Sequence, residues 1–289
     1  MIETDLGQFA NKRFGQNFLK SDYYIRQIIQ AMPEEKSDGE SLRVAEIGPG
    51  LGDLTKELVR VRNVTAFEVD KRLCEHLADT LGEAIESDRL RLECGDVLER
   101  WGEESLLDEP YRLVANLPYY IATNIILRAL KDPNCRSILV MVQKEVAQKF
   151  SAVAGKKEFS ALSVLTQSAG EATLCFEVEA EAFVPPPKVT SAVLLITKER
   201  SDSNEKFERL LRIAFSQPRK KLFKNLSVAF GKDTIANLFD TLELESNLRP
   251  HEAETSIYHQ IYNELKDILD GQQHKQPRAS REWTRLQTS

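Results

Sequence analysis

Between residues 42 and 143, short apolar runs alternate with amphipathic helical stretches, a pattern that few folds accommodate. Residues 42–47 read as a buried strand, and 53–62 as a helix opened by an acidic residue. A second strand is predicted over 64–69 and a second helix over 71–81. Three more strands are expected at 90–94, 113–116 and 138–142, with a helix over 121–130 before the last. This alternation predicts an α/β fold whose parallel, Rossmann-like sheet is covered on both faces. Two later strands, 172–178 and 192–197, are joined by a Pro185-Pro186-Pro187 corner and suit an antiparallel end to the sheet.

The pattern changes after Lys198. Ser201-Asp202-Ser203-Asn204 is a polar linker, and helices are expected over 205–216, 220–230, 234–242 and 254–269. The expected organisation is a sheet domain over 1–200, a small all-helical domain over 201–270, and a polar tail over 271–289. The tail has too little apolar content to order itself.

Composition matters mainly for what it excludes. The chain has 289 residues, of which 42% are apolar and 29% charged, the make-up of an ordinary globular protein. Its apolar stretches, such as residues 137–142, are too short to cross a bilayer, and the first five residues lack secretory features. A cytoplasmic, monomeric protein without membrane contact is expected. Cys74, Cys94, Cys135 and Cys175 show no CxxC pair, so reduced thiols are expected rather than a zinc cluster or a disulfide framework. His76, His251, His259 and His274 lack ligand spacing, and no metal site is expected. The net charge of −6 speaks against nucleic-acid binding only as an average. Basic residues cluster at Lys12-Arg13, Lys156-Lys157, Arg219-Lys220-Lys221 with Lys224, and in the tail, and phosphate contact depends on such local patches.

The first strand runs into Glu46-Ile47-Gly48-Pro49-Gly50-Leu51-Gly52-Asp53. Glycines between a strand and a helix let a ligand approach the backbone closely, although a tight turn needs them for steric reasons alone. A second strand ends at Glu68-Val69-Asp70, where a carboxylate suits the two hydroxyls of a ribose. Asp53 stands at the third glycine position of a dinucleotide fingerprint, where it would repel a pyrophosphate but not a sulfonium. The loop therefore favours S-adenosylmethionine over NAD. Asp96, after the third strand, can accept from the cofactor's adenine amino group or serve as a plain helix cap.

Asn116-Leu117-Pro118-Tyr119 follows the fourth strand. An exocyclic amino nitrogen is a poor nucleophile because its lone pair is delocalised into the ring. Hydrogen bonds from that amino group to the Asn116 side-chain oxygen and the Leu117 carbonyl, whose direction Pro118 fixes, make the nitrogen more nucleophilic. Tyr119 offers a flat face for a base. Displacement at a sulfonium then requires mainly proximity and orientation. A plain X-Pro turn with a core Tyr is the simpler reading of the same four residues.

With these motifs in order, the sequence resembles the ribosomal RNA adenine dimethyltransferases over about residues 11–270. Asn11-Lys12-Arg13-Phe14-Gly15-Gln16-Asn17-Phe18-Leu19 is similar to the family's N-terminal signature, and residues 46–52 to its cofactor loop. Gln143-Lys144-Glu145-Val146, Phe183-Val184-Pro185-Pro186-Pro187-Lys188-Val189 and Phe215-Ser216-Gln217-Pro218-Arg219-Lys220-Lys221 are similar to further family strings. The resemblance implies methylation of N6 on two adjacent adenines near the 3′ end of 16S rRNA in the small ribosomal subunit. It implies that Asn17 and Leu19 close over S-adenosylmethionine, with Gly48, Glu68, Asp96 and Asn116 lining the rest of the site. It also implies that Phe183 faces Tyr119 across the target base. Two departures are visible: Tyr120 where the family usually carries Asn, and Pro218-Arg219-Lys220-Lys221 in place of an Arg-Arg-Lys run.

Read directly, Lys12, Arg13 and Lys20 flank the cofactor loop and can meet phosphates or form a solvated arm. Arg219, Lys220, Lys221 and Lys224 lie at helical spacing, as a phosphate-binding or merely solvated face. Phe183, before three prolines, is a stacking wall or a core residue. Other readings stay open: a DNA adenine-N6 methyltransferase, an assembly factor that binds immature subunits, and, remotely, an NAD-dependent dehydrogenase.

Overall fold

The structure is a computed structural model that describes residues 16–34, 41–101, 105–200 and 204–271. Lys12, Arg13, the start of the N-terminal signature, most of the linker, and the tail beyond Gly271 lie outside the described residues. The strands, in chain order, are β1 (Phe18–Leu19), β2 (Arg43–Ile47), β3 (Val64–Glu68), β4 (Leu90–Cys94), β5 (Tyr111–Asn116), β6 (Cys135–Gln143), β7 (Gly170–Val178), β8 (Phe183–Val184) and β9 (Ser191–Lys198). The helices are α1 (Asp22–Ala31), α2 (Asp53–Val61), α3 (Lys71–Thr80), α4 (Gly82–Glu86), α5 (Val97–Arg100), α6 (Ala122–Lys131), α7 (Lys144–Ser151), α8 (Ala161–Ala169), α9 (Glu205–Ala214), α10 (Leu222–Phe230), α11 (Lys232–Thr241) and α12 (Thr255–Gly271).

Seven strands form one sheet in the order β4-β3-β2-β5-β6-β9-β7. The first five are parallel, while β9 pairs antiparallel with both β6 and β7. The doubly wound α/β architecture and its antiparallel end are those expected from the alternation. Strands β2 and β3 are buried at every residue because helices cover both faces, which is why they read as continuous runs rather than alternating ones. Chain order reverses between β2 and β5, a topological switch point of the kind at which open α/β sheets bind ligands.

The chain divides into two compact units. The first comprises residues 1–147 and 170–201, the second 148–169 and 202–289. The sequence grouping assigns residues 148–169 to the sheet domain, but Phe159, Ala161 and Val164 share the helical unit's core with Phe207, Leu210 and Tyr258. Within that unit Asn204 caps α9, its Oδ1 accepting from Phe207 N at 3.0 Å while its Nδ2 donates to Tyr262.

Three further findings depart from the sequence reading. Helix α10 begins at Leu222, so Arg219 and Lys220 lie in the preceding turn, Lys221 is the cap, and only Lys224 is helical. The buried Asn225 side chain explains that turn, because its Nδ2 donates to Ala214 O at 2.6 Å and Gln217 O at 3.1 Å. Cys74 and Cys94 form a disulfide with their Cα atoms 6.2 Å apart, whereas reduced thiols are expected from the sequence. Adjacent parallel strands β3 and β4 bring the last residue of β4 to the first turn of α3, and nothing in a spacing of 20 residues announces that. Finally, β1 and β8 form a two-residue antiparallel ribbon (Phe18 opposite Val184, Leu19 opposite Phe183), too short to leave any period in the sequence.

Candidate active site

At the carboxyl ends of β2, β3, β4 and β5 lies a cleft of about 1160 Å³, including the solvent at its mouth. Asn17, Leu19, Gly48, Glu68, Asp96, Asn116, Leu117 and Tyr119 all line it. Eight of the nine site residues expected from sequence thus meet in one place. Phe183 does not: it is 2% exposed and packs in the sheet unit's core with Leu19, Val178 and Val193.

The glycine loop is shaped for close approach. Gly50 has φ of +61°, and a Cβ there would sit 3.0 Å from the Phe18 ring. Its N–H donates to Glu68 Oε2 at 3.1 Å, which ties the loop to the tip of β3. Gly48, also at positive φ, leaves a gap that places a hypothetical Cβ 3.5 Å from Pro118 Cδ. The loop after β2 and the Asn-Leu-Pro-Tyr turn after β5 are therefore neighbours across the switch point.

Asn116 is oriented by its surroundings. Its Nδ2 donates to Asn17 O at 3.1 Å, and since a carbonyl only accepts, the side-chain oxygen is the end left to accept from a substrate amine. Leu117 is buried, with its N–H spent on Met141 O. The Tyr119 hydroxyl lies 2.6 Å from Ser191 Oγ, and burial pushes its phenol pKa up, so the ring stays neutral. Ser191 was not singled out by sequence reasoning, because its role exists only through the antiparallel return of β9 beside β6.

The Glu68 carboxyl also takes Asp70 N at 3.0 Å through Oε1. Burial pushes its pKa up, while the backbone N–H groups of Asp70, Gly50 and Val69 pull it back. A carboxylate offers about four lone-pair sites, so a further donor such as a ribose hydroxyl can still be accepted. Asp96 caps α5, its Oδ1 accepting from Leu98 N at 2.8 Å, so the cap reading describes one oxygen and leaves the other to the cleft.

Two charges stand differently from the sequence reading. Asp53 is paired with Lys20 Nζ at 2.6 Å, so its charge is offset and Lys20 is not free for RNA phosphates. Two of the acidic side chains that line the cleft, Glu46 and Glu68, are buried. Glu46, which lines the cleft at 1% exposure, has a buried carboxyl oxygen with no hydrogen-bond partner among the described residues. A charged residue within the otherwise apolar run Val44-Ala45-Glu46-Ile47 was the signal that could have singled it out. Glu46, Asp53, Glu68 and Asp96 line the cleft with no Lys, Arg or His among its described residues. An orphaned buried carboxyl, a glycine cradle and an acidic lining fit a cationic nucleoside and do not fit a pyrophosphate. S-adenosylmethionine, a sulfonium with a ribose and no phosphate, fits on each count.

Comparison with known proteins agrees. The chain matches the ribosomal RNA adenine dimethylase family over residues 7–267. It is 52% identical to ribosomal RNA small subunit methyltransferase A of Sulfurimonas denitrificans, covering 91% of this chain and 96% of the relative. The protein of the same name in Aliarcobacter butzleri is 48% identical, covering 89% and 97%. Among solved structures, a dimethyladenosine transferase from Plasmodium falciparum superposes with a TM-score of 0.71 at 22% identity, covering 86% and 98% of the two chains. The 23S rRNA methyltransferase ErmE superposes at 0.66 and 23% identity, covering 86% and 100%. These two likenesses speak for the fold. On the match over residues 7–267 and the identities near one half, the chain belongs to the ribosomal RNA adenine dimethylase family.

Proposed function

We propose that the protein is an S-adenosylmethionine-dependent dimethyltransferase acting on N6 of two adjacent adenines near the 3′ end of 16S rRNA, in the small ribosomal subunit. In this reading it works as a cytoplasmic monomer; among its described residues, no helix is long and apolar enough to cross a membrane. The observation that carries the chemistry is the orientation of Asn116. Its amide nitrogen is held by Asn17 O and the residue lines the cleft, which leaves its oxygen as the end to accept from a substrate amine.

When bound, S-adenosylmethionine supplies an electrophilic methyl group on a good leaving group. The chain's own residues supply position and polarisation. Asn116 Oδ1 and the Leu117 carbonyl accept from the adenine amino group, which draws nitrogen out of conjugation. Tyr119 is held by Ser191 as a flat, neutral wall for the base. Glu68 and Asp96 suit the ribose and the adenine of the cofactor, and Leu19, in the strand that pairs with β8, and Asn17, just before that strand, suit the closing edge. No group of unusual basicity is required, because the amine's proton leaves after the methyl arrives.

The exposed cations Arg219, Lys220 and Lys221 surround the N-terminus of α10, and the family match supports RNA phosphate as their partner. The test is incubation of purified protein with labelled S-adenosylmethionine and either unmethylated small subunits or naked DNA. Label is expected in subunit rRNA. Label in DNA alone would favour the DNA adenine reading. An Asn116→Ala protein that binds subunits normally and supports growth would favour an assembly role with methylation secondary.

A further inference from the structure

The cleft holds two buried carboxyls on neighbouring strands. Glu46 lies near the end of β2 and Glu68 ends β3, at 1% and 3% exposure. Glu68 is held by three backbone N–H groups, but one buried Glu46 oxygen has no partner among the described residues. The other carboxyls that line the cleft are Glu68 on β3, Asp53 at the start of α2, which pairs with Lys20, and Asp96 after β4. The phenols of Tyr119 and Tyr120 after β5 also line it, and Asp70, which acts on Glu68, is paired with Arg72. The Thr55 hydroxyl on α2 is its polar neighbour, and the charge that acts on it is the like charge of Glu68. Among the described residues no cation acts on it, and a buried carboxylate without one is unfavourable.

We propose that Glu46 distinguishes the charged methyl donor from the spent one: it is protonated in the free cleft, releases that proton to solvent when the sulfonium enters, and keeps it when the neutral thioether product enters. The inference rests on the cleft being the cofactor site. Geometry gives it direction, since the orphaned carboxyl lines the same cleft as the glycine loop. Burial and the repulsion of Glu68 push the Glu46 pKa up to about 8, which agrees with a proton held at neutral pH. The balance is simple. One proton goes to solvent as one positive charge enters, and one returns when the methyl, and with it the charge, has gone to the substrate. Retention of the donor and release of the product then follow from the same side chain.

The test is calorimetric titration of the full chain with S-adenosylmethionine and, separately, S-adenosylhomocysteine, in two buffers of different ionisation enthalpy. Measurements at about pH 6, 7 and 8 are made on wild type and Glu46→Gln. The cofactor's own amino group also titrates in this range, and the Gln variant reports its share. Wild type is expected to release up to one proton more than the variant with the donor, and none more with the product. Donor affinity should rise up to tenfold per pH unit between about 6 and 7, beyond any rise in the variant. At pH 8 the variant should lose at least tenfold for the donor and little for the product. Equal proton counts in the two proteins, or equal losses for donor and product, would overturn the inference and leave the cofactor site standing. Binding that is unaffected by Glu68→Ala and Gly50→Val would overturn the cofactor site itself. Should Glu46→Gln fail to fold, the donor-minus-product proton count of wild type decides alone: a difference near zero overturns the proposal.

Discussion

At Glu46, burial and the Glu68 charge lift a carboxyl from its ordinary 4.5 to about 8. A carboxyl whose folded value is raised contributes stability that is full below about 4.5 and is lost as pH rises through about 8. Glu46→Gln, which cannot ionise, should therefore melt at a higher temperature than wild type at pH 8.5, with the difference shrinking toward pH 5. Thermal melts of the two free proteins across that range check this; a difference independent of pH would contradict it. Tyr119 gives a second residue-scale prediction. Its ring is the working surface and its hydroxyl only anchors it to Ser191. Tyr119→Phe should keep transfer within about tenfold, whereas Tyr119→Ala should lower kcat by about a hundredfold or more and leave the donor Kd within a few-fold. Parallel losses in kcat and cofactor affinity would argue against a stacking role.

Among the elements, the glycine loop and the turn after β5 touch, so distortion of one should be felt in the other. Gly50→Ala adds a Cβ 3.0 Å from Phe18 at a positive φ, which costs about 1 kcal/mol in backbone strain before any ligand is considered. Donor affinity should fall about tenfold or more while the melting temperature drops only slightly; an unchanged Kd would mean that the loop does not touch the cofactor. Asp132, buried where α6 ends, accepts from Trp101, Ser105, Leu106, Tyr111 and Asn134. Asp132→Ala leaves several buried donors unpaired, so a loss of at least about 3 kcal/mol is expected in denaturant unfolding. Most of this element layer was legible in the sequence. Strands β2 to β6 and the helices of the second unit carry periods of 2 or 3.6 residues or continuous apolar runs long enough to read. What was not legible depends on partners distant in sequence. The β1–β8 ribbon, the Ser191 anchor, the Cys74–Cys94 pair and the Lys20–Asp53 pair all join segments that only the folded sheet brings together. The site residues were legible because the loop ends of parallel strands converge on one edge, so motifs far apart in sequence share a cleft. Phe183 shows the limit: three prolines predict rigidity, but not which way the ring faces.

For the molecule as a whole, charge is segregated by task. An acidic lining surrounds the cleft, while the net charge of −6 conceals the exposed Arg219-Lys220-Lys221 turn that Asn225 pins in place. If that turn meets rRNA phosphates, Lys220→Glu with Lys221→Glu should weaken subunit binding and reduce its salt slope by roughly 0.7–0.9 for each phosphate no longer neutralised, with donor affinity unchanged. The central claim, however, concerns the amine-polarising site at Asn116. It is tested most directly by digesting 16S rRNA from unmethylated small subunits after treatment with the donor and either wild type or Asn116→Ala, and counting N6,N6-dimethyladenosine by mass spectrometry. The account predicts two such nucleosides per rRNA with wild type, and at least a hundredfold slower appearance with an Asn116→Ala protein that still binds subunits. Wild-type rates from the variant, or methyl groups anywhere but adenine N6, would contradict it.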